Sequence, residues 1–517
     1  MSRLARARLN ARLKPRLGPA AEAAILLTLI AACRGSPGRP EPCPEAGVAS
    51  FRVAARPSSY DSLFAQASAE FGVPAGLLKA LGWVETRWQM VRGAEEFPGR
   101  PAAFGVMALR GDALERGAAL AGVTAEAART DPAANIRAAA ALLAAYAAER
   151  GGDWGAAAAR YSGIDLPRGR DAYLREVNRA LGAPRAAAAS TSCPPPEGGA
   201  PDYAPAVWRP SPNFNQRPTD ATGTIHAIII HTCEGNYTGC WSWLTNPISQ
   251  VSAHYVVNED GSETSQLVRE PDRAWHIAAM YRCALNRQHE CWLEGTQSNH
   301  FTVGIEHAGF ALQESFPVSQ LEASAALVCD ISRDRAIPRD WQHILAHGQL
   351  QPENRTDPGP NWPWIPWVHR VQAHCGEVVV DDSAEFNDAS VAAATVPAGW
   401  LATDQTPDYY GVGYRWAPTA PDAADGAVFS FRLDSTSART LDARWTSGAN
   451  RSTRAEFAVV TATDDTLAKV PMDQTASGGP WHELGTWTFP AGWNRVVLLR
   501  RDASGSVVVA DAVRVRR

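Results

Sequence analysis

His231, Glu306, His347 and Asp357 are the residues of this 517-residue chain whose types and placement best suit hydrolysis of an unreactive bond. A hydrolytic zinc site needs three ligands drawn from neutral imidazoles and carboxylates, with one position left open. His231 closes the apolar run Ile225–His231, where a side chain can sit at the rim of a sheet. His347 closes a second strand-like run, Ile344–His347. Asp357 follows in Asn354–Pro360, a loop held by two prolines. Glu306 ends Val303–Glu306 and could act as a base toward water. Eleven of the twelve histidines fall between His226 and His374. Spacing alone leaves open that any two of them are satisfied core residues. Another carboxylate stands upstream. Glu85 falls four residues after Leu81 on the apolar stripe of the run Leu77–Trp88. Partial desolvation there favours the protonated form and suits a general acid.

These side chains need elements to hold them, and composition divides the chain into regimes. From about Ser58 to Leu181 it is alanine-rich, with Leu77, Leu78, Leu81, Val84 and Trp88 at helical spacing, which predicts an all-α domain over 58–184. Residues 185–205 contain three consecutive prolines and read as a linker. Over 206–376 strand-like runs alternate with helical stretches such as Val318–Arg333, predicting α/β or α+β structure. Over 377–517 short β-branched and aromatic runs, Val428–Leu433 and Val496–Leu499 among them, are separated by turn residues. That pattern predicts an all-β sandwich.

The runs IIIHT, VSAHYVV, AWH, VGIEH and LAHGQLQPENRTDPGP, in this order, resemble the type-2 N-acetylmuramoyl-L-alanine amidase family over roughly residues 206–372. That family shares its fold with peptidoglycan recognition proteins. The resemblance implies an α/β zinc amidase domain with a central mixed sheet. It implies Zn2+ held by His231, His347 and Asp357, with Glu306 as the catalytic carboxylate. His254, Tyr255 and His276 match positions lining the family's substrate cleft, although the two histidines could equally be structural. The family often has lysine two residues before the ligand aspartate, where this chain has Arg355. Only Lys14, Lys79 and Lys469 are lysine against 46 arginines, so drift toward arginine explains the change. A guanidinium stays charged and cannot shuttle a proton, but it directs N–H donors at a developing oxyanion. Arg355 is therefore expected to stabilise charge, and Glu306 to carry protons. The implied bond joins the lactyl group of N-acetylmuramic acid to L-alanine of the stem peptide.

Two further resemblances flank this one. Leu77–Trp88, Phe104–Leu109, Asp131–Ile136 and Ala159–Gly163 resemble the lysozyme-like soluble lytic transglycosylase family over about residues 58–165. In that family a single glutamate, matched here by Glu85, protonates the glycosidic oxygen while the sugar's own hydroxyl attacks. No second carboxylate is then required, unlike the usual hydrolytic pair. Ala108 replaces the usual glutamine and Tyr161–Gly163 shortens the usual Tyr-Asn-Ala-Gly run, which leaves open a domain that binds glycan without cutting it. Leu441–Trp445, Gly448–Thr453, Trp481–Gly485 and Val509–Val513 resemble the golvesin C-terminal-like domain, which is suspected of carbohydrate binding. There Trp400, Tyr410, Trp416 and Trp445 could stack on sugar rings, though such aromatics more often pack in a core.

Residues 1–32 carry six basic side chains against Glu22, followed by an apolar run from Ala23 to Ala32. They read as an export signal, too short to span a membrane. Ile30–Cys33 resembles a bacterial lipobox, so Cys33 is the expected lipidation site, with 33–57 as a tether. An ordinary secreted protein is the other reading. Arg34 lacks the aspartate that retains some lipoproteins at an inner membrane, which favours an outer-membrane location. Removing residues 1–32 takes the formal charge from −5 to −10, which excludes a protein built around nucleic-acid phosphates. The eight remaining cysteines suit an oxidising compartment. Cys233–Cys240 and Cys283–Cys291 are plausible pairs, and Cys43–Cys193 and Cys329–Cys375 would complete the set. Expected partners are the glycan strand and stem peptide of peptidoglycan, with membrane contact through the lipid alone. The competing reading is a non-catalytic peptidoglycan-binding lipoprotein. Binding relatives typically lose a metal ligand, whereas all three matching positions are filled here.

Overall fold

The computed structural model describes residues 57–97, 99–182, 199–501 and 506–517. The expected signal segment, Cys33, Cys43 and Cys193 therefore lie outside the described residues. The chain forms two compact units. One holds the described residues from Pro57 to Met90 and from Phe104 to Gly182, and the other holds the described residues of Val91–Ala103 and from Gly199 to Arg517. Among the described residues, no helix is long and apolar enough to cross a membrane.

The first unit is helical: α1 (Asp61–Phe71), α2 (Ala75–Thr86), α3 (Gly111–Ala121), α4 (Ala125–Thr130), α5 (Pro132–Ala148), α6 (Trp154–Tyr161) and α7 (Pro167–Leu181). Alanine dominates because close helix packing needs small side chains. Ala138, Ala139 and Ala140 of α5 are fully buried. Proline at the first position of α5 costs no hydrogen bond, and Asp131 Oδ1 caps that end by accepting from the Ala134 N–H at 2.7 Å. Asn135 then ties the upstream turn to α5. Its Oδ1 accepts from the Met107 N–H at 2.8 Å and its Nδ2 donates to the Phe104 carbonyl at 3.0 Å. Gly105, at φ +77°, is required there, since a Cβ would stand 2.1 Å from the Asn135 amide carbon.

The second unit begins its main sheet with β1 (Val207–Trp208), β2 (Ala227–Thr232), β3 (Tyr255–Val257), β4 (Thr264–Gln266), β5 (Thr302–His307) and β6 (Ile344–Ala346). Their spatial order is β6-β2-β5-β3-β4-β1. The β2–β5, β3–β5, β2–β6 and β1–β4 pairs are parallel and β3–β4 is antiparallel, so the sheet is mixed. Ile228, Ile229 and Ile230 are all buried, as expected of a central strand covered on both faces. Helices α8 (Tyr237–Leu244), α9 (Val318–Asp334), α10 (His347–Leu350) and α11 (Trp364–His374) accompany it. Disulfides link Cys233 to Cys240, Cys283 to Cys291 and Cys329 to Cys375.

From Glu377 the chain becomes all-β. Strands Glu377–Asp381, Ala512–Arg516, Ser437–Arg444 and His482–Phe489 form one antiparallel sheet. A second contains Ala392–Thr395, Gly426–Leu433, Gly492–Leu499, Ala455–Val460 and Thr466–Met472. Trp400, Tyr410 and Trp445 are buried, which gives them the packing role rather than the sugar-stacking one, and Trp416 is half-buried. A buried ion pair of Arg444 with Asp340, at 2.8 Å, fastens this region to the segment just before β6.

Candidate active site

Adjacent parallel strands set the site. The β2–β5 register places Glu306 opposite His231, and β6 ends at Ala346 on the other side of β2, so His347 opens α10. All three residues emerge at the carboxyl ends of parallel strands, where open α/β sheets place their ligand sites. Asp357 arrives on the following loop, its carbonyl accepting from the Gly348 N–H at 3.0 Å.

His231 Nδ1 lies 2.9 Å from His347 Nδ1, and Asp357 Oδ2 lies 3.3 Å from the first and 3.1 Å from the second. Ligand atoms around a tetrahedral ion with bonds of ~2.0–2.1 Å stand roughly 3.3 Å apart. The three atoms are spaced as a metal ion would hold them. Glu96 joins them, with Oε1 3.4 Å from His347 Nδ1. All four side chains are buried, and their ligand atoms lie within 4.8 Å of one another. Asp357 Oδ1 is buried without a hydrogen-bond partner among the described residues. Two imidazoles and two carboxylates form a donor set that fits a divalent cation.

The electrostatics match that fit. Burial opposes a charge on His347, but Asp357 and Glu96 outweigh it and raise the imidazole to about 10. Burial and the neighbouring His347 charge lower His231 to about 4, so its ring is neutral and its lone pair available. Burial pushes Asp357 upward, yet the two histidines hold it well below the usual carboxylate range. The cluster attracts positive charge. Glu306 is 1 % exposed, and its Oε2 has no hydrogen-bond partner among the described residues. Burial first, then the charges of Glu96 and Asp357, push its carboxyl well above the usual range.

Neighbours fix which ring nitrogen faces the cluster. His231 Nε2 lies 3.0 Å from His276 Nδ1, and His276 Nε2 lies 3.1 Å from Thr302 Oγ1, which donates to the Ser298 carbonyl at 2.8 Å. Such a chain of partners keeps a proton on the outer nitrogen of His231 and leaves Nδ1 for a ligand. Asn299 Oδ1 accepts from the His276 N–H, and Gly304 gives the ring room, since a Cβ there would come within 2.4 Å of it. His347 Nε2 meets Gln351 Oε1 at 3.3 Å in the same way.

The structure thus brings together His231, His347, Asp357 and Glu306, with His276 behind His231. It does not bring His254 or Tyr255 to the cluster. His254 Nδ1 accepts from the Gly304 N–H at 3.0 Å and holds β5 in place. Tyr255 is fully buried and donates its hydroxyl to Glu270 at 2.6 Å. Tyr255 opens β3, whose three residues are all buried. Arg355 reaches the cluster on its Glu96 side, with Nε 3.3 Å from Oε1 and a terminal nitrogen donating to the Glu96 carbonyl at 2.9 Å. Sequence reasoning missed Glu96, Glu234, Asn299 and Gln351. Glu96 and Glu234 carry no recognisable local signal. A separate group of buried acids in the all-β region, Asp381, Asp382 and Asp511, could also hold a cation.

In the helical unit, Glu85 lies near the end of α2, 7 % exposed, and accepts the Tyr173 hydroxyl of α7 at 2.5 Å. The Tyr161 hydroxyl donates to the Met107 carbonyl at 2.6 Å, so the upstream motifs build one local framework with Asn135.

Family models match three stretches of the chain: N-acetylmuramoyl-L-alanine amidase over 221–360, the transglycosylase SLT domain over 62–173 and the golvesin C-terminal domain over 380–517. N-acetylmuramoyl-L-alanine amidase A of Achromobacter lyticus is 32% identical over 193 residues, covering 34% of this chain and 98% of that protein. A xanthan lyase of a Bacillus species is 25% identical, covering 54% of this chain and 28% of the lyase. N-acetylmuramoyl-L-alanine amidase AmiD of Escherichia coli is 28% identical, covering 27% of this chain and 51% of that protein.

Proposed function

The chain belongs to the N-acetylmuramoyl-L-alanine amidase family, and from that premise we propose a zinc-dependent peptidoglycan hydrolase that cuts between N-acetylmuramic acid and L-alanine. The observation that carries this reading is the convergence of His231 Nδ1, His347 Nδ1 and Asp357 Oδ2 at 2.9 to 3.3 Å beside Glu306. A protein that only bound the wall would have no need of that donor set. His231, His347 and Asp357 would hold the zinc ion, which would supply Lewis acidity toward water and the scissile carbonyl. Glu306 accepts the proton of the attacking water and returns it to the departing L-alanine nitrogen. Arg355 donates N–H groups to the oxygen that gains charge. His276 keeps His231 in the tautomer that leaves Nδ1 free.

Release of new L-alanine amino termini from intact peptidoglycan tests the reading. Activity is expected to vanish when a strong chelator strips the full-length protein and to return with one equivalent of zinc. Undiminished release from fully stripped protein would show that no metal is required.

A second activity is favoured by Glu85, whose buried position on α2 suits a proton donor and whose bond from Tyr173 fixes its orientation. We infer that the helical unit cleaves the glycan strand through this single carboxyl. Glu85→Gln is expected to lower formation of anhydro-muramic ends by roughly a hundredfold or more. Equal yields from both proteins would leave the unit as a glycan-binding module. The basic leader, the short apolar run and Cys33 support export with a lipid anchor, and peptidoglycan is the only macromolecular partner proposed.

A further inference from the structure

Glu96 comes from a stretch of chain far from every amidase motif. The chain leaves the helical unit at Met90 and returns to it at Phe104, and the intervening Val91–Ala103 belongs to the second unit. Three bonds seat it there. The Ala94 N–H donates to Glu234 Oε2 at 2.8 Å, Arg355 donates to the Glu96 carbonyl at 2.9 Å, and Arg100 donates to the Gly239 carbonyl at 3.0 Å. Glu234 is buried, and its other oxygen accepts from the Ala311 N–H at 2.7 Å, so the anchor is itself fixed. At the end of this arrangement Glu96 Oε1 stands 3.4 Å from His347 Nδ1 and 3.3 Å from Arg355 Nε.

We propose that Glu96 is a fourth protein ligand that closes the metal site, making residues 91–97 a built-in inhibitory strap. The proposal rests on the reading that His231, His347 and Asp357 hold the metal. Zinc sites with four protein ligands are closed and structural, whereas hydrolytic sites keep one position for water or substrate. A carboxylate at the fourth position excludes both. The same side chain occupies the guanidinium assigned to the developing oxyanion, so one residue blocks two parts of the machinery. Among the described residues, Glu306 Oε2 has no hydrogen-bond partner. The described structure is therefore the latent form, and catalysis requires Glu96 to swing away from His347 and Arg355 together.

Cobalt(II) substitution in the full-length protein tests this without relying on turnover. The visible spectrum of the cobalt-loaded wild type is expected to be insensitive to added azide, because no position is open. Glu96→Gln and Glu96→Ala are expected to give spectra that shift on titration with azide. Their zinc affinity should fall roughly tenfold to a hundredfold, and their amide-cleaving rate should rise above wild type. The glutamine variant preserves side-chain size and guards against a packing artefact. An azide response in wild type equal to that of both variants would overturn the proposal while leaving the three-ligand reading intact. So would a fall in amidase activity on losing Glu96. Failure of wild type and variants alike to bind cobalt would sink the metal reading and the strap together.

Discussion

His347→Ala is expected to reduce amide cleavage by at least roughly a thousandfold and to remove stoichiometric zinc. The residue sits at the centre of the donor set, within 2.9 Å of His231 Nδ1, 3.1 Å of Asp357 Oδ2 and 3.4 Å of Glu96 Oε1. Among the described residues, no other side chain is bonded or ion-paired to all three. Without it, the remaining donors are one imidazole and two carboxylates. Polarisation by a metal is worth several kcal/mol of transition-state stabilisation, and each ~1.4 kcal/mol is tenfold in rate. The loss of charge compensation matters as well. In the metal-free protein His347 carries the positive charge that offsets Asp357 and Glu96, so its removal leaves two buried carboxylates facing each other. The variant is therefore expected to melt at a lower temperature and to regain nothing from added zinc at micromolar concentration. Metal content by atomic absorption, together with L-alanine release, checks both halves. Full activity in a variant containing no zinc would end the proposed chemistry.

What could be read from residues alone follows from how far apart the interacting groups lie in the fold's own logic. His231, Glu306 and His347 were legible because each ends an apolar run, and three parallel strands side by side bring such ends together. Asp357 was legible through its proline-bounded loop. The helical and all-β regions announced themselves through alanine periodicity and short β-branched runs, and the disulfides Cys233–Cys240, Cys283–Cys291 and Cys329–Cys375 match the expected pairings. His254 and Tyr255 were placed at the cleft by the family resemblance alone, and no pattern in the residues reveals that His254 bonds the Gly304 N–H and Tyr255 bonds Glu270. Glu96 was invisible for a different reason. Its segment lies within the alanine-rich region by sequence but packs with the second unit, and no local pattern encodes a contact across more than a hundred residues. Arg355 shows the same limit from the other side. Its chemistry was readable, yet its partner was not.

Glu306→Gln is expected to lower the rate of amide cleavage by roughly a hundredfold to ten-thousandfold while zinc remains bound with nearly wild-type affinity. The substitution preserves size and hydrogen-bonding shape but cannot accept and release a proton, so it removes the general acid–base contribution alone. Arg355 cannot compensate, because its guanidinium holds its protons at any working pH. Of the carboxylates near the site, Asp357 is committed to the histidines and Glu234 to the Ala94 and Ala311 N–H groups. Glu96 is engaged by Arg355. Glu306 Oε2 is buried with no hydrogen-bond partner among the described residues, whereas Asp357, whose Oδ1 also lacks one, is held by the two histidines through its other oxygen. The split between rate and metal content is the diagnostic feature. A loss of zinc in parallel with activity would make Glu306 a structural support of the metal rather than a proton carrier. An unchanged rate would move proton transfer elsewhere, and Glu96, once released from His347, is the carboxylate positioned to take it. The double variant Glu96→Gln with Glu306→Gln separates these cases. If Glu306 is the carrier, adding the Glu96 change cannot restore turnover, because opening the metal site does not supply a base.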